Sequence, residues 1–365
     1  MTTAHINRIG TAVPSHQVHA AFVSFVRRTI AEPKISQLFD RMVKRAGIDR
    51  RFSFLEPVTL PDGTITDTDG FYGTGEWPTT AARMRRYEQT APALALDAIN
   101  SLSPDIASDG ITHLVVASCT GFMAPGLDQL IIESTGLSPN VERTVVGFMG
   151  CYAAVNSLRL AHHIVRSTPE ARVLVVTVEL CTLHFQRTND LEKLLSMLLF
   201  GDGAAAALVT ADPTGIALMD FRATTIARST DAITWNIGDQ GFDMHLGGEV
   251  PAQISQALKR ELIGSDESGL LRGKSPTDFD LWAVHAGGRT ILDAVERAFS
   301  LPATALQRSR DVLREYGNLS SATLMFVLER MMARDAPAPA EKQGLGLAFG
   351  PGLAAESFRF RLLPA

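Results

Sequence analysis

The chain has 365 residues, 45% hydrophobic and 20% charged, with a formal net charge of −5. That balance excludes a disordered chain, and the slight acidity excludes a broad basic face for nucleic acid. With 29 Gly and 18 Pro, collagen-like and low-complexity classes are also out. At ~150 residues per domain there is room for two domains or one large double domain. Three cysteines are too few for a disulfide framework, so a reducing compartment is expected. The N-terminal segment does not read as a signal peptide, and no run approaches the ~20 apolar residues of a membrane helix. The expectation is a cytoplasmic protein with no membrane span.

Residues 5–13 (HINRIGTAV) read as a strand stopped by Pro14. Residues 20–46 carry helical spacing broken at Pro33, and 58–78 are rich in Gly, Pro, Thr and Asp and read as a long loop. Helical spacing returns over 79–102, 124–135 and 153–166. Between these lie short apolar runs that read as buried strands, THLVVAS at 112–118, RVLVVTVE at 172–179 and the apolar run at 204–209. The second half repeats the style, with helices over 250–263, 290–299 and 320–332, a strand at 279–284 (FDLWAV), a loop at 336–343 and a strand pair over 344–363. GDGAAAALV at 201–209 and GPGLAAESF at 350–358 share a Gly-x-Gly turn followed by small and apolar residues. Strands alternating with helices in two similar halves predict an internally duplicated α/β protein, divided near 211–215 into residues 1–215 and 216–365.

Cys151, in GFMGCY, falls on a tight turn that opens a helical segment. Unpaired N–H groups and the helix dipole favour a thiolate there, and Gly150 lets the backbone bend. A buried structural cysteine is the competing reading. A nucleophilic thiol needs a base and an orienting group. His285 ends the run LWAVH before AGG, where α/β folds present side chains to ligands. Asn318, in YGNLSSATL, precedes a helical run, where a helix cap is the commoner use of asparagine. His184 lies three residues after Cys181, but two ligands without a second pair make no metal site. Cysteine, histidine and asparagine in this order fit a papain-like protease or a carbon–carbon condensing enzyme. The 150 residues preceding Cys151 disfavour the protease.

Taken together, the segments resemble the type III polyketide synthases, the chalcone-synthase-like branch of the thiolase superfamily. GFMGCYAAVNSLRLA resembles the nucleophile segment, LLFGDGAAAALV the gatekeeper strand, WAVHAGGRTIL the histidine segment, YGNLSSAT the asparagine segment and AFGPGLAAESF the terminal Gly-Pro-Gly loop. The resemblance implies a thiolase-like fold, internally duplicated and five-layered (α-β-α-β-α), with Cys151, His285 and Asn318 as the catalytic trio. It implies a pocket that includes Phe200 and Pro351. There are departures from the plant pattern. Met244 stands for a second gatekeeper Phe, Trp235 for a cavity Gly, and Cys181 and His184 for two cavity threonines. Cys119 and Thr120 match another polar pair, and Ala124 replaces a Met that crosses the plant dimer interface. Ala348 and Ala286 replace a Gly and a Pro.

The resemblance further implies that an acyl-CoA starter loads onto Cys151, that His285 holds the thiol as a thiolate–imidazolium pair, and that malonyl-CoA decarboxylates between His285 and Asn318. Repeated extension and cyclisation then give a pyrone or phenolic product, with an alkylpyrone or alkylresorcinol expected from an aliphatic starter. Arg41 and Arg45 match CoA-binding basic positions, while a third is Leu38. No metal or other cofactor is implied, and a homodimer is expected. The run GLGLAFGPG is not read as a dinucleotide fingerprint. Two alternatives share parts of this pattern: a ketoacyl-ACP synthase III-like enzyme, and a thiolase-like scaffold without activity.

Overall fold

The computed structural model describes residues 2–73, 75–263, 267, 269–335 and 340–364. Nine strands form one mixed sheet: β1 (Ala4–Ala12), β2 (His113–Ser118), β3 (Glu142–Gly147), β4 (Val173–Leu180), β5 (Asp202–Thr210), β6 (Ile216–Thr225), β7 (Leu281–Val284), β8 (Lys342–Gly350) and β9 (Ala354–Leu362). Their spatial order is β7-β8-β9-β6-β1-β5-β4-β2-β3. The helices are α1 (His19–Thr29), α2 (Pro33–Ala46), α3 (Thr80–Leu102), α4 (Leu127–Thr135), α5 (Ala153–Ser167), α6 (Leu191–Leu199), α7 (Val250–Ile263), α8 (Arg289–Phe299), α9 (Gln307–Tyr316) and α10 (Thr323–Asp335).

The duplication is visible in the strand pairings. In the first half β5 pairs antiparallel with β1 on one side and β4 on the other, and β4 continues in parallel to β2. In the second half β6, β9 and β8 repeat that pattern, and β8 continues in parallel to β7. The halves join where Ala4, His5 and Ile6 pair with Leu218, Ala217 and Ile216. The division expected near 211–215 falls in the connection between β5 and β6.

Strand period explains the layers. Val173 and Val175 face one apolar cluster while Leu174, Val176 and Val178 face another. Strands covered on both faces need no polar alternation, which is why RVLVVTVE is almost continuously apolar. The cluster between the two halves is filled by α5 (Ala154, Val155, Leu158) and α10 (Leu324, Val327, Leu328). A second cluster lies under α3, and a third under α8 and α6. The result is helix, sheet, helix pair, sheet, helix.

Several expectations shift. Residues 58–78 include all but the first residue of a short ribbon, Pro57–Thr59 paired with Ile65–Asp67. The helix expected from 124 begins at Leu127, and the helix expected from 320 begins as a tight turn, Ser320–Ala322. The expected loop over 336–343 lies partly outside the described residues, and its end, from Lys342, belongs to β8. Strand β3, helices α6 and α9, strand β6 and a hairpin (Ile233–Gly238 with Gly241–Leu246) are additions.

Candidate active site

Cys151 sits in a tight turn, Gly150–Tyr152, that leads into α5. The chain reaches it through two left-handed residues, Phe148 (φ 59°) and Gly150 (φ 78°). A Cβ on Gly150 would lie 2.6 Å from the Pro351 ring, so the terminal Gly-Pro-Gly loop packs directly on the nucleophile turn. His285 follows β7, and its N–H donates to the Leu347 carbonyl at 2.8 Å, continuing the ladder with β8. Asn318 follows α9, its N–H bonded to the Leu199 carbonyl at 2.8 Å and its carbonyl accepting from Gly201 at 3.0 Å. That bridge brings Phe200 alongside Asn318. All three expected catalytic side chains are buried around Ser320.

Their hydrogen bonds fix what each presents. The Asn318 oxygen accepts from the Ser320 N–H at 2.8 Å, an Asx turn, and from the Thr323 hydroxyl at 3.3 Å. The amide nitrogen donates to the Gly287 carbonyl at 3.2 Å. With the oxygen occupied and one of two N–H bonds used, one donor remains free to act. The carboxamide lines the same cavity as the Cys151 thiol and the His285 imidazole. The cap reading and the donor reading of Asn318 are thus one geometry. His285 Nε2 lies 3.2 Å from the Ser320 carbonyl, which can only accept, so Nε2 carries the proton. The Cys151 thiol donates to Ser320 Oγ at 3.8 Å.

The electrostatics bear on one expectation. Burial pushes the Cys151 thiol up to about 12, against the opposing bond to Ser320. Burial also pulls His285 down to about 4, with the Ser320 carbonyl opposing. Both shifts favour a neutral thiol and a neutral imidazole over the thiolate–imidazolium pair that the resemblance implies. Desolvation outweighs the helix terminus because neither group reaches water.

Cys119, Phe200, Met244, Trp235 and Ser320 line both the catalytic cavity and a second pocket beside it, and Pro351 lines the first. Thr120, Cys181 and His184 line only the second pocket. His184 is locked: its Nδ1 accepts from the Phe242 N–H at 3.0 Å, its Nε2 donates to the Thr120 carbonyl at 2.7 Å, and its ring stacks on Phe242 at 4.2 Å. Burial drives it down to about 3, so it is a neutral wall. The Trp235 indole donates to the Cys119 carbonyl at 2.7 Å and meets His184 edge-on at 5.3 Å.

Two functional candidates escaped the sequence reading. Glu179 is fully buried at the end of β4, bonded to the Cys119 N–H, the Thr120 hydroxyl and the Ser321 hydroxyl. Burial still raises its carboxyl above the usual range. A carboxylate ending the apolar run RVLVVTVE was the available signal. The other is Arg289, which with Arg45 lines a cavity that abuts the catalytic one through Leu246, Gly287 and Ile291. Arg41 is exposed one turn earlier on α2 and lies outside that lining. Among the described residues no three His, Cys, Asp or Glu side chains gather to hold a metal, and no helix is long and apolar enough to cross a membrane.

A buried thiol at a helix start, with an imidazole and a carboxamide from the other half of a duplicated α/β fold, is the site of a thiolase-like condensing enzyme. The chain belongs to the chalcone and stilbene synthases, the type III polyketide synthases: that family's N-terminal domain matches residues 1–213 and its C-terminal domain residues 218–364. It is similar to the alpha-pyrone synthesis polyketide synthase-like Pks18 of Mycobacterium tuberculosis, 30% identical over 99% of this chain and 92% of the relative. It is similar also to bisdemethoxycurcumin synthase of Oryza sativa subsp. japonica, 33% identical over 97% and 91%. Among solved structures, the C-terminal type III polyketide synthase domain of Steely1 from Dictyostelium superposes with a TM-score of 0.85 at 25% identity, covering 99% of both chains. PKS-I from the brown alga Ectocarpus siliculosus gives 0.83 at 27% identity, covering 100% and 99%. The protein is a type III polyketide synthase, an acyltransferase, and the ketoacyl-ACP synthase III-like and inactive-scaffold alternatives are not favoured.

Proposed function

We propose that this synthase loads an aliphatic acyl-CoA starter on Cys151, extends it with malonyl-CoA and cyclises the chain to an alkylpyrone. Residues 1–215 supply the thiol, and residues 216–365 supply the imidazole and carboxamide. Attack by Cys151 sulfur on the starter thioester forms the acyl-enzyme and releases CoA. Because the resting thiol is neutral, its proton moves to His285 as the S–C bond forms, rather than before, and passes from there to the departing CoA sulfur. The malonyl thioester carbonyl then sits between the free Asn318 N–H and His285 Nε2–H, which exchanges its 3.2 Å bond to the Ser320 carbonyl for the substrate oxygen. As CO2 leaves, the developing enolate oxygen takes both bonds. Each such donor is worth about 3 kcal/mol of barrier in a dry site. The enolate carbon attacks the Cys151 thioester, the S–C bond to cysteine breaks, the extended chain stays on CoA, and the released cysteine sulfur takes up a proton to restore the neutral thiol.

The carrying observation is the Asn318 amide, whose oxygen is taken by Ser320 and Thr323 so that an N–H is left for the cavity it shares with Cys151 and His285. Phe200, next to Asn318, walls the cavity from water. Arg45 and Arg289, with Arg41 outside them, receive CoA phosphates at the cavity mouth. No metal or other cofactor enters these steps. The alkylpyrone reading draws on the alpha-pyrone synthesis in the name of the mycobacterial relative and on the narrow, rigid pocket around Trp235 and His184.

A homodimer and a cytoplasmic location belong to the same reading. Strand β3 ends the sheet with one neighbour, and Val145 on it is 56% exposed. Phe122 and Met149 are exposed as well. A free apolar edge invites a second strand.

The test is mass spectrometry after incubation with malonyl-CoA and a series of acyl-CoA starters. An acyl adduct on the Cys151 peptide and a starter-dependent pyrone are expected. A folded protein giving neither product nor adduct sinks the reading. Loading from acyl-carrier protein alone restores the ketoacyl synthase alternative.

A further inference from the structure

The catalytic cavity holds a second thiol that condensation does not use. Cys119 follows β2 and lines that cavity with Cys151, His285 and Ser320. Its Sγ lies 3.2 Å from Ser320 Oγ, the same hydroxyl that accepts from the Cys151 thiol at 3.8 Å. The Cys119 thiol itself donates to the Glu179 carboxylate, at 3.4 Å to one oxygen and 3.5 Å to the other. With Ser320 Oγ accepting from Cys151, its own proton points to the Cys119 sulfur. One directed chain therefore runs from Cys151 through Ser320 and Cys119 to Glu179.

Glu179 is set to accept protons. The Cys119 N–H, the Thr120 hydroxyl and the Ser321 hydroxyl all donate to it. A cysteine that only fills space needs no buried carboxylate against its S–H, because that contact costs desolvation of the charge. The third cysteine is placed differently: Cys181 lines the second pocket and not the catalytic cavity.

We propose that Cys119 is a resolving thiol: when a hydroperoxide oxidises Cys151, Cys119 closes a reversible Cys119–Cys151 disulfide that keeps the nucleophile from irreversible oxidation. In the first step the Cys151 sulfur attacks the terminal peroxide oxygen. The S–O bond forms, the O–O bond breaks, and the thiol proton passes through His285 to the departing oxygen. The products are Cys151 sulfenic acid and an alcohol, or water from hydrogen peroxide. In the second step the Cys119 sulfur attacks the Cys151 sulfur and gives its proton to Glu179. The S–S bond forms, the S–O bond breaks, and the departing hydroxide takes that proton to leave as water. The peroxide is reduced by two electrons and the two thiols are oxidised by two. A disulfide spans about 2.05 Å between sulfurs, so the Ser320 side chain turns aside as it forms. A dithiol restores both cysteines by exchange.

The probe is hydrogen peroxide at pH 8.5, followed by alkylation and mass spectrometry of the digest without reduction. A linked peptide pair containing Cys119 and Cys151, lighter by two hydrogens than the two free peptides, is expected. Acyl loading on Cys151 is expected to fall with its formation and to return when dithiothreitol is added. In Cys119→Ser the sulfenic acid has no partner and goes on to sulfinic acid, heavier by two oxygens, which dithiothreitol does not reverse. The fraction of loading recovered, taken against the untreated sample of the same variant, is expected to fall from most of it to almost none. Cys119→Ala is expected to match Cys119→Ser, so the loss does not depend on one replacement. A link from Cys119 to Cys181, oxidation of Cys151 without a link, a Cys151 thiol that peroxide leaves free, or equal recovery with and without Cys119 each overturns the proposal. The cross-link is read whether or not any starter loads, so this inference and the acyl-loading reading fail separately.

Discussion

Gly150 and Pro351 touch across the two halves of the molecule: a Cβ on Gly150 would sit 2.6 Å from Pro351 Cδ and 2.9 Å from its Cγ. Gly150 also has φ +78°, a conformation that costs a side-chain-bearing residue about 1 kcal/mol or more. Gly150→Ala therefore meets strain and overlap together, and neither can relax without moving the Cys151 turn or the Gly-Pro-Gly loop. The expected outcome is a loss of roughly 1–3 kcal/mol in urea unfolding, from strain plus overpacking. Acyl loading at Cys151 should slow as well. Unchanged stability and loading would show that the loop does not press on the turn.

Asn318 separates loading from decarboxylation. Its donor serves the enolate, while the thiol does the loading. Asn318→Ala should lower malonyl-CoA decarboxylation about a hundredfold, the value of one oxyanion donor, with much smaller loss in starter loading. Asn318→Asp should be worse. The carboxylate would keep the Ser320 and Thr323 bonds and present negative oxygen where the amide N–H stood. Rates of CO2 release and Cys151 acylation, measured side by side, check this. Equal losses in both would mean Asn318 acts through structure.

Much of this site was legible one residue at a time, and its convergence was not. Cys151 announced itself by Gly150 and the helix that follows. His285 was legible as the end of a strand before Gly-Gly. Asn318 looked like a cap, and it does make an Asx turn; only the three-dimensional partners show that the turn consumes its oxygen and spares its N–H. The continuous apolar strands were readable because both faces are covered. Strand β3 was missed because most of it is exposed, so ERTVVG carries no buried face to mark it. The hairpin Ile233–Leu246 was missed for a related reason: Asn236, Ile237 and Gly238 are exposed, while Trp235 and Met244 spend their apolar surface on the pocket. Glu179 could be noticed in the sequence, but nothing there shows that three hydrogen bonds hold it beside Cys119 and Thr120.

The neutral resting pair has a kinetic signature. With the Cys151 thiol pushed up to about 12, only a minute thiolate fraction exists at neutral pH. That fraction rises tenfold per pH unit until the thiol titrates. Alkylation of Cys151 by iodoacetamide should therefore accelerate about tenfold per unit from pH 6 to 9, without a plateau. A thiolate–imidazolium pair would instead give a plateau across that range, and its observation would overturn the neutral assignment. Mass spectrometry of the Cys151 peptide keeps the readout separate from Cys119 and Cys181, whose thiols burial also raises.

Stability should fall steeply in mild acid. His19, His162 and His285 are pulled from 6.5 to about 4, and His184 to about 3, in each case mainly by burial. Below pH 6.5 the unfolded chain binds protons at these positions and the folded chain does not, so stability drops as pH falls from 6.5 toward 4. The loss stops once the folded histidines also protonate. Each shift of this size corresponds to about 3 kcal/mol as an upper bound. Asp202 acts in the opposite sense. Burial raises it from 3.8 to about 6, so over that interval the folded chain holds the extra proton and gains stability as pH falls. Glu179 is raised as well and offsets part of the same loss. Four histidines against two carboxyls leave a net loss of several kcal/mol between pH 6.5 and 4. Urea midpoints at pH 7.5, 6.5, 5.5 and 4.5 check it, with the drop expected below 6.5. His184→Gln, which removes one titrating group, should flatten the curve by about a quarter of the histidine contribution. A profile flat to pH 4.5 would mean that these imidazoles are not held neutral by burial.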